Sequence, residues 1–144
     1  METKLLSNST ADLQEAAHLL KEGNVVGIPT ETVYGLAADA RNPEAVRQIF
    51  AAKGRPADNP LIVHIAKLEE LESVAVSVPE LALKLAEKFW PGPLTMILPK
   101  HPSIPTITSG GLDTVGVRMP SHLVARKLIE LSGVPIAAPS ANIS

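Results

Sequence analysis

The chain of 144 residues contains no cysteine. That excludes disulfides and thiolate metal sites and leaves the redox compartment open. Charge of either sign is not in excess, since 13 Lys and Arg face 15 Asp and Glu for a formal net charge of -2. A general nucleic-acid footprint is therefore missing, and any RNA contact has to come from a local basic patch. No apolar run approaches the roughly 20 residues of a membrane span. The start, Met1-Glu2-Thr3-Lys4, lacks a basic region feeding an apolar stretch, so a signal peptide is not expected and the cytoplasm is. Familiar chemical motifs are absent too: there is no G-x-x-x-x-G-K-[ST], no G-x-G-x-x-G after a strand, no paired-histidine zinc motif and no G-x-S-x-G elbow. Any nucleotide site must be assembled from scattered strand-end residues.

What is present is a globular composition, 45% hydrophobic and 19% charged, in one domain's length of chain, 1–144. Helical and strand patterns alternate. Leu13, Ala16, Ala17 and Leu20 recur at i, i+3, i+4 and i+7, which predicts an amphipathic helix capped by Thr10 or Asp12 and stopped by Gly23. Residues 25–28 are short, apolar and β-branched, and predict a buried strand. Asn42-Pro43-Glu44 predicts a helix start, a cap followed by proline at the first position. Strands are expected at 61–65, 94–98, 114–118 and 135–138, a helix at 79–89, and another capped by Ser121 and ending near Gly133. The segment 102–113 reads as a mobile surface loop. This alternation predicts an α/β fold with helices packed on a sheet.

Polar and charged residues gather at the strand and helix ends. Thr30, Glu31 and Thr32 leave the first strand into a turn, where hydroxyls either satisfy their own backbone or donate to an anionic ligand. Lys53 and Arg55 close a helix. They either complement its negative terminus or, with Gly54 and Pro56 fixing the turn, aim a guanidinium fork at phosphate. Arg118 ends an otherwise apolar strand, so its partner is an internal carboxylate or that of a bound amino acid. His64 closes residues 61–64 as a hydrogen-bonded core residue or a catalyst. His18, His101 and His122 read as surface or capping residues. Ser140 and Asn142 follow the last strand, in an ordinary Asx or Ser turn or one that presents oxygens and N–H groups to phosphate.

The ordered series PTETVYGL (29–36), KGRP (53–56), PLIVH (60–64), WPGPLT (90–95), VGVRMP (115–120) and PSANIS (139–144) resembles the YrdC-like threonylcarbamoyl-adenylate synthases. The resemblance runs from about Asn24 to Ser144. It implies a twisted mixed sheet with flanking helices around a deep electropositive cavity. It also implies an enzyme that combines L-threonine, bicarbonate or carbon dioxide, and ATP, with Mg2+, into threonylcarbamoyl-AMP and pyrophosphate. Partner proteins would then transfer the product to tRNA. Residue by residue, Thr32, His64, Arg118 and the backbone at Ala138 match positions that contact threonine. Lys53, Arg55, Asn59, Thr114, Ser140 and Asn142 match positions around the nucleotide, with Lys53 and Arg55 the candidates for catalysis. In such a reaction, preorganised cations stabilise charge on the α-phosphorus and a dry cavity protects the carbamate.

The family continues with a glycine after the last motif, so the resemblance also implies that the C-terminal part of the domain is missing here. Two alternatives remain on sequence grounds. One is the carbamoyl-adenylate domain of hydrogenase maturation, which uses carbamoyl phosphate. The other is a non-catalytic module on the same fold that binds tRNA or double-stranded RNA.

Overall fold

The computed structural model describes residues 3–5, 10–29, 34–53 and 60–139, with backbone alone at 3–5, 10, 11, 28, 29, 34 and 53. In chain order the elements are β1 (Thr3–Leu5), α1 (Thr10–Lys21), β2 (Val25–Pro29), β3 (Tyr34–Asp39), α2 (Pro43–Lys53), β4 (Ile62–His64), a 3-10 turn (Leu68–Glu70), α3 (Leu71–Val74), α4 (Glu80–Phe89), β5 (Met96–Pro99), β6 (Thr114–Arg118), α5 (Leu123–Ser132) and β7 (Ile136–Ala138). The strands form one mixed sheet in the order β1-β2-β3-β7-β4-β6-β5. Parallel pairs join β1 to β2 and β4 to β6, and the other neighbours are antiparallel. The expected α/β architecture with a mixed sheet and flanking helices is present.

Because successive strand residues point to opposite faces, the register sorts the core into two layers. Val63, Val115, Val117, Met96, Leu98 and Ala137 belong to a large cluster with Val46, Ile49 and Phe50 of α2 and Ala82 and Ala86 of α4. On the opposite face, Val26, Ala37 and Ile136 meet Leu13, Ala16, Ala17 and Leu20 of α1 and Leu128 and Ile129 of α5. The apolar stripe read from the sequence is therefore the face α1 buries. Each fully buried leucine or isoleucine in these layers contributes roughly 1.5–3 kcal/mol relative to exposure.

The helix ends follow local chemistry. Asn42 caps α2, its Oδ1 accepting from the N–H groups of Glu44 at 3.0 Å and Ala45 at 3.2 Å, with Pro43 in the first position. Gly23 stops α1 at φ 92, a left-handed conformation that only glycine adopts without strain. Three expectations need correction. α1 begins at Thr10, so Asp12 lies within its first turn and is not the N-cap. Ser121 does not cap α5 either: His122 does, its Nδ1 accepting from the Val124 N–H at 3.2 Å.

The third correction concerns the segment 102–113, which is exposed at Pro102, Thr106 and 111–113 but is pinned into the core between them. Ile104, Thr108 and Ser109 are fully buried. Thr108 Oγ1 donates to the Ala40 carbonyl at 2.8 Å, while its own carbonyl accepts from Leu61 N–H at 3.0 Å. Turn residues conceal this because their polar groups are satisfied inward, by backbone rather than water.

Candidate functional site

Among the described residues, α1 and α5 cover the second face of the sheet over β2, β3 and β7 but not over β4, β6 and β5. There the register aligns Ile62 with Gly116 and His64 with Arg118 on β4 and β6, and Gly116 with Ile97 on β5. Ile62, His64, Thr114 and Arg118 are half-buried, and Ile97 is 65% exposed. No helix packs on this strip among the described residues, although Gly116 at its middle is buried. Ile62 and Thr95 close over Gly116, since a Cβ there would lie 3.2 Å from both Ile62 Cδ1 and Thr95 Cγ2.

At one end of the strip stand His64 and Arg118. Arg118 Nε donates to the Gly92 carbonyl at 2.8 Å, and among the described residues no carboxylate pairs with the guanidinium. Of the two partners that the sequence left open, the internal carboxylate is thus not found among these residues. A backbone carbonyl uses one donor of the fork and leaves the terminal nitrogens for a ligand.

His64 is the acidity-shifted group. Burial first, and the Arg118 charge second, lower its pKa from 6.5 to about 4, with the carbonyls of Ile136 and Ile62 pulling partly the other way. Nδ1 lies 3.4 Å from the Ile136 carbonyl. A carbonyl only accepts, so this contact favours the tautomer that carries its proton on Nδ1 and leaves the Nε2 lone pair free. So weak a base does little proton abstraction near neutrality. It can, however, accept a hydrogen bond without adding charge beside Arg118.

Thr114 begins the strand that Arg118 ends, about 13 Å away at the usual strand rise. Ala138, the last residue of β7, pairs with Ile62, the first of β4, toward the Thr114 end. Lys53 is the last residue of α2, and only its backbone is described. Thr32, Arg55, Asn59, Ser140 and Asn142, with Thr30 and Glu31, lie outside the described residues. The structure therefore brings His64 and Arg118 together and sets Thr114 apart from them along one strip. Sequence reasoning missed Gly92, whose carbonyl holds Arg118. Its only signal was a glycine between two prolines in WPGPLT.

A mixed α/β sheet with a strip that no helix covers among the described residues, ended by a neutral histidine and an arginine that meets no carboxylate among them, defines a domain suited to a small anionic ligand. The chain belongs to the Sua5/YciO/YrdC family, whose model, described as "Telomere recombination", matches residues 18–144. It is similar to the threonylcarbamoyl-AMP synthase of Pyrococcus abyssi, 63% identical over 129 residues, covering 90% of this chain and 38% of that protein. To the enzyme of the same name from Bacillus subtilis it is 54% identical over 144 residues, covering 99% and 41%. Among solved structures it is similar to P. abyssi Sua5 complexed with L-threonine, with a TM-score of 0.90, 55% identity, and coverage of 100% of this chain and 43% of that one. The chain spans well under half the length of these relatives.

Proposed function

We propose that this chain supplies the threonine- and nucleotide-binding domain of a threonylcarbamoyl-AMP synthase, joining L-threonine, bicarbonate or carbon dioxide, and ATP with release of pyrophosphate. The product would serve N6-threonylcarbamoyladenosine formation in tRNA, through separate transfer proteins in the cytoplasm. No helix among the described residues is long and apolar enough to cross a membrane.

The observation that carries this reading is Arg118 beside a neutral His64 at the paired ends of β4 and β6, in a chain whose relatives bear that activity. Arg118 takes the threonine carboxylate in a charge-assisted pair, and His64 accepts from the hydroxyl or amine. The strip, about 13 Å from Arg118 to Thr114, leaves room for the one-carbon unit and leads toward a nucleotide. Loss of carbon dioxide competes with the attack of the carbamate oxygen on the α-phosphorus, so exclusion of water over the strip favours product. Lys53 and Arg55 are assigned to the phosphates, with Asn59, Thr114, Ser140 and Asn142 around the nucleoside. Among the described residues no group of three or more His, Asp or Glu forms a metal cage. Mg2+ is therefore assigned to the phosphates of ATP, as part of the substrate, and to no step of its own.

The test is pyrophosphate release from ATP with bicarbonate, with and without threonine. Threonine-dependent release supports the assignment. Release that ignores threonine but requires carbamoyl phosphate would make the chain a carbamoyl-adenylate domain, and no release with tight RNA binding would make it an RNA module.

A further inference from the structure

We propose that the loop of residues 90–95 is a positioning element for Arg118, with Gly92 as its contact point; the inference rests on the assignment of Arg118 to the threonine carboxylate. Gly92 makes two backbone contacts with the end of β6. Its carbonyl accepts from Arg118 Nε at 2.8 Å, and its N–H donates to the neighbouring Met119 carbonyl at 2.9 Å. The loop is held shut from inside by Trp90, which is buried and donates from Nε1 to the Leu94 carbonyl at 2.8 Å. A long arginine side chain ordinarily samples many rotamers. Bonding at Nε fixes the plane of the guanidinium and leaves the edge formed by its two terminal nitrogens for a bidentate contact.

Glycine is required at this point by close approach. A Cβ on Gly92 would stand 2.6 Å from the Phe89 carbonyl oxygen at the end of α4, which is backbone and cannot swing aside. Any side chain at 92 must shift the loop, and the acceptor that orients Arg118 shifts with it. Gly92 and Trp90 touch no substrate in this account. They act through the angle at which Arg118 is presented, so their influence falls on ligands that carry a carboxylate.

Gly92→Ala and Trp90→Phe test this, the second keeping the aromatic bulk while removing the bond to Leu94, so that one variant remains if the other fails to fold. The Arg118 Nε–H resonance of the 15N-arginine-labelled chain is assigned by its disappearance in Arg118→Lys. Affinities are measured for threonine, threoninamide and ATP. In a folded variant, Nε–H exchange is expected to rise, and threonine binding to weaken about tenfold, roughly 1.4 kcal/mol. Threoninamide and ATP are expected to change less than about twofold, because neither offers an amino-acid carboxylate to the fork. Unchanged Nε–H exchange with unchanged threonine preference over threoninamide overturns the proposal, as does an equal loss for both ligands, the mark of a general structural defect. If the unaltered chain binds no threonine, the functional assignment fails on its own, and Nε–H exchange alone then decides whether the loop positions Arg118.

Discussion

Acidification should destabilise this domain through His64 in particular. With a folded pKa near 4 against an ordinary 6.5, the folded protein binds the imidazole proton less well than the unfolded chain does. The stabilisation is complete above pH 6.5 and is lost as pH falls toward 4, because in that window the unfolded state takes up the proton first. At about 1.4 kcal/mol per pH unit, the interval from 6.5 to 4 amounts to at most roughly 3 to 4 kcal/mol for this half-buried ring, a large part of the 5–15 kcal/mol typical of a natural domain. The physical cause can be divided by mutation. Arg118→Ala removes the cation but leaves burial, so the His64 pKa should move up only part of the way to 6.5, since burial is the larger cause. His64→Gln keeps a polar side chain of similar size and cannot titrate, so its unfolding free energy should fall less steeply between pH 6.5 and 4. Urea unfolding at closely spaced pH values, with NMR titration of the His64 ring, measures both quantities. Equal pH dependence in the unaltered chain and in His64→Gln would refute the reasoning, as would a His64 ring titrating near 6.5.

Arg118→Ala should cost roughly 2 to 5 kcal/mol of threonine binding, the range for removing one side of a desolvated charge pair, and calorimetry on the folded variant checks it. Arg55→Lys keeps charge but loses the fork, so ATP affinity should fall if the residue grips phosphate; unchanged affinity would leave it a cation at a helix end. Thr108→Val preserves volume but removes the donor to the buried Ala40 carbonyl, which should cost about 1–3 kcal/mol in denaturant unfolding.

Legibility in the sequence tracked how much each element depends on its own side chains. The apolar stripe of α1 and the apolar runs of β2, β4 and β6 declare themselves. β3 did not: Tyr34–Asp39 reads YGLAAD, with glycine, two alanines and an aspartate, all poor strand formers. It is a strand because β2 and β7 flank it on both sides. β1 is three residues long and exists through its pairing with β2, and the short α3 carries no recognisable periodicity. The same distinction holds at the site. His64 and Arg118 were visible as polar ends of apolar strands, and their adjacency follows from the β4–β6 register. The partners that tune them, the carbonyls of Gly92 and Ile136, are backbone atoms brought from 26 and 72 positions away, and no side-chain pattern encodes them.

The strand order has a temporal side. β7, made after every other strand described, occupies the middle of the sheet, between β3 and β4. Its partners precede it by a long stretch of chain: Ala137 meets both Ala38 and Val63. During synthesis, two part-sheets can assemble, β1-β2-β3 and β4-β6-β5, each with an inner edge of unpaired N–H and C=O groups that invites pairing with another nascent chain. Closing such distant contacts is slow relative to forming local ones. The three residues Ile136–Ala138 then join the halves at once, so the pairing of the two part-sheets waits for a segment the ribosome delivers after both of them.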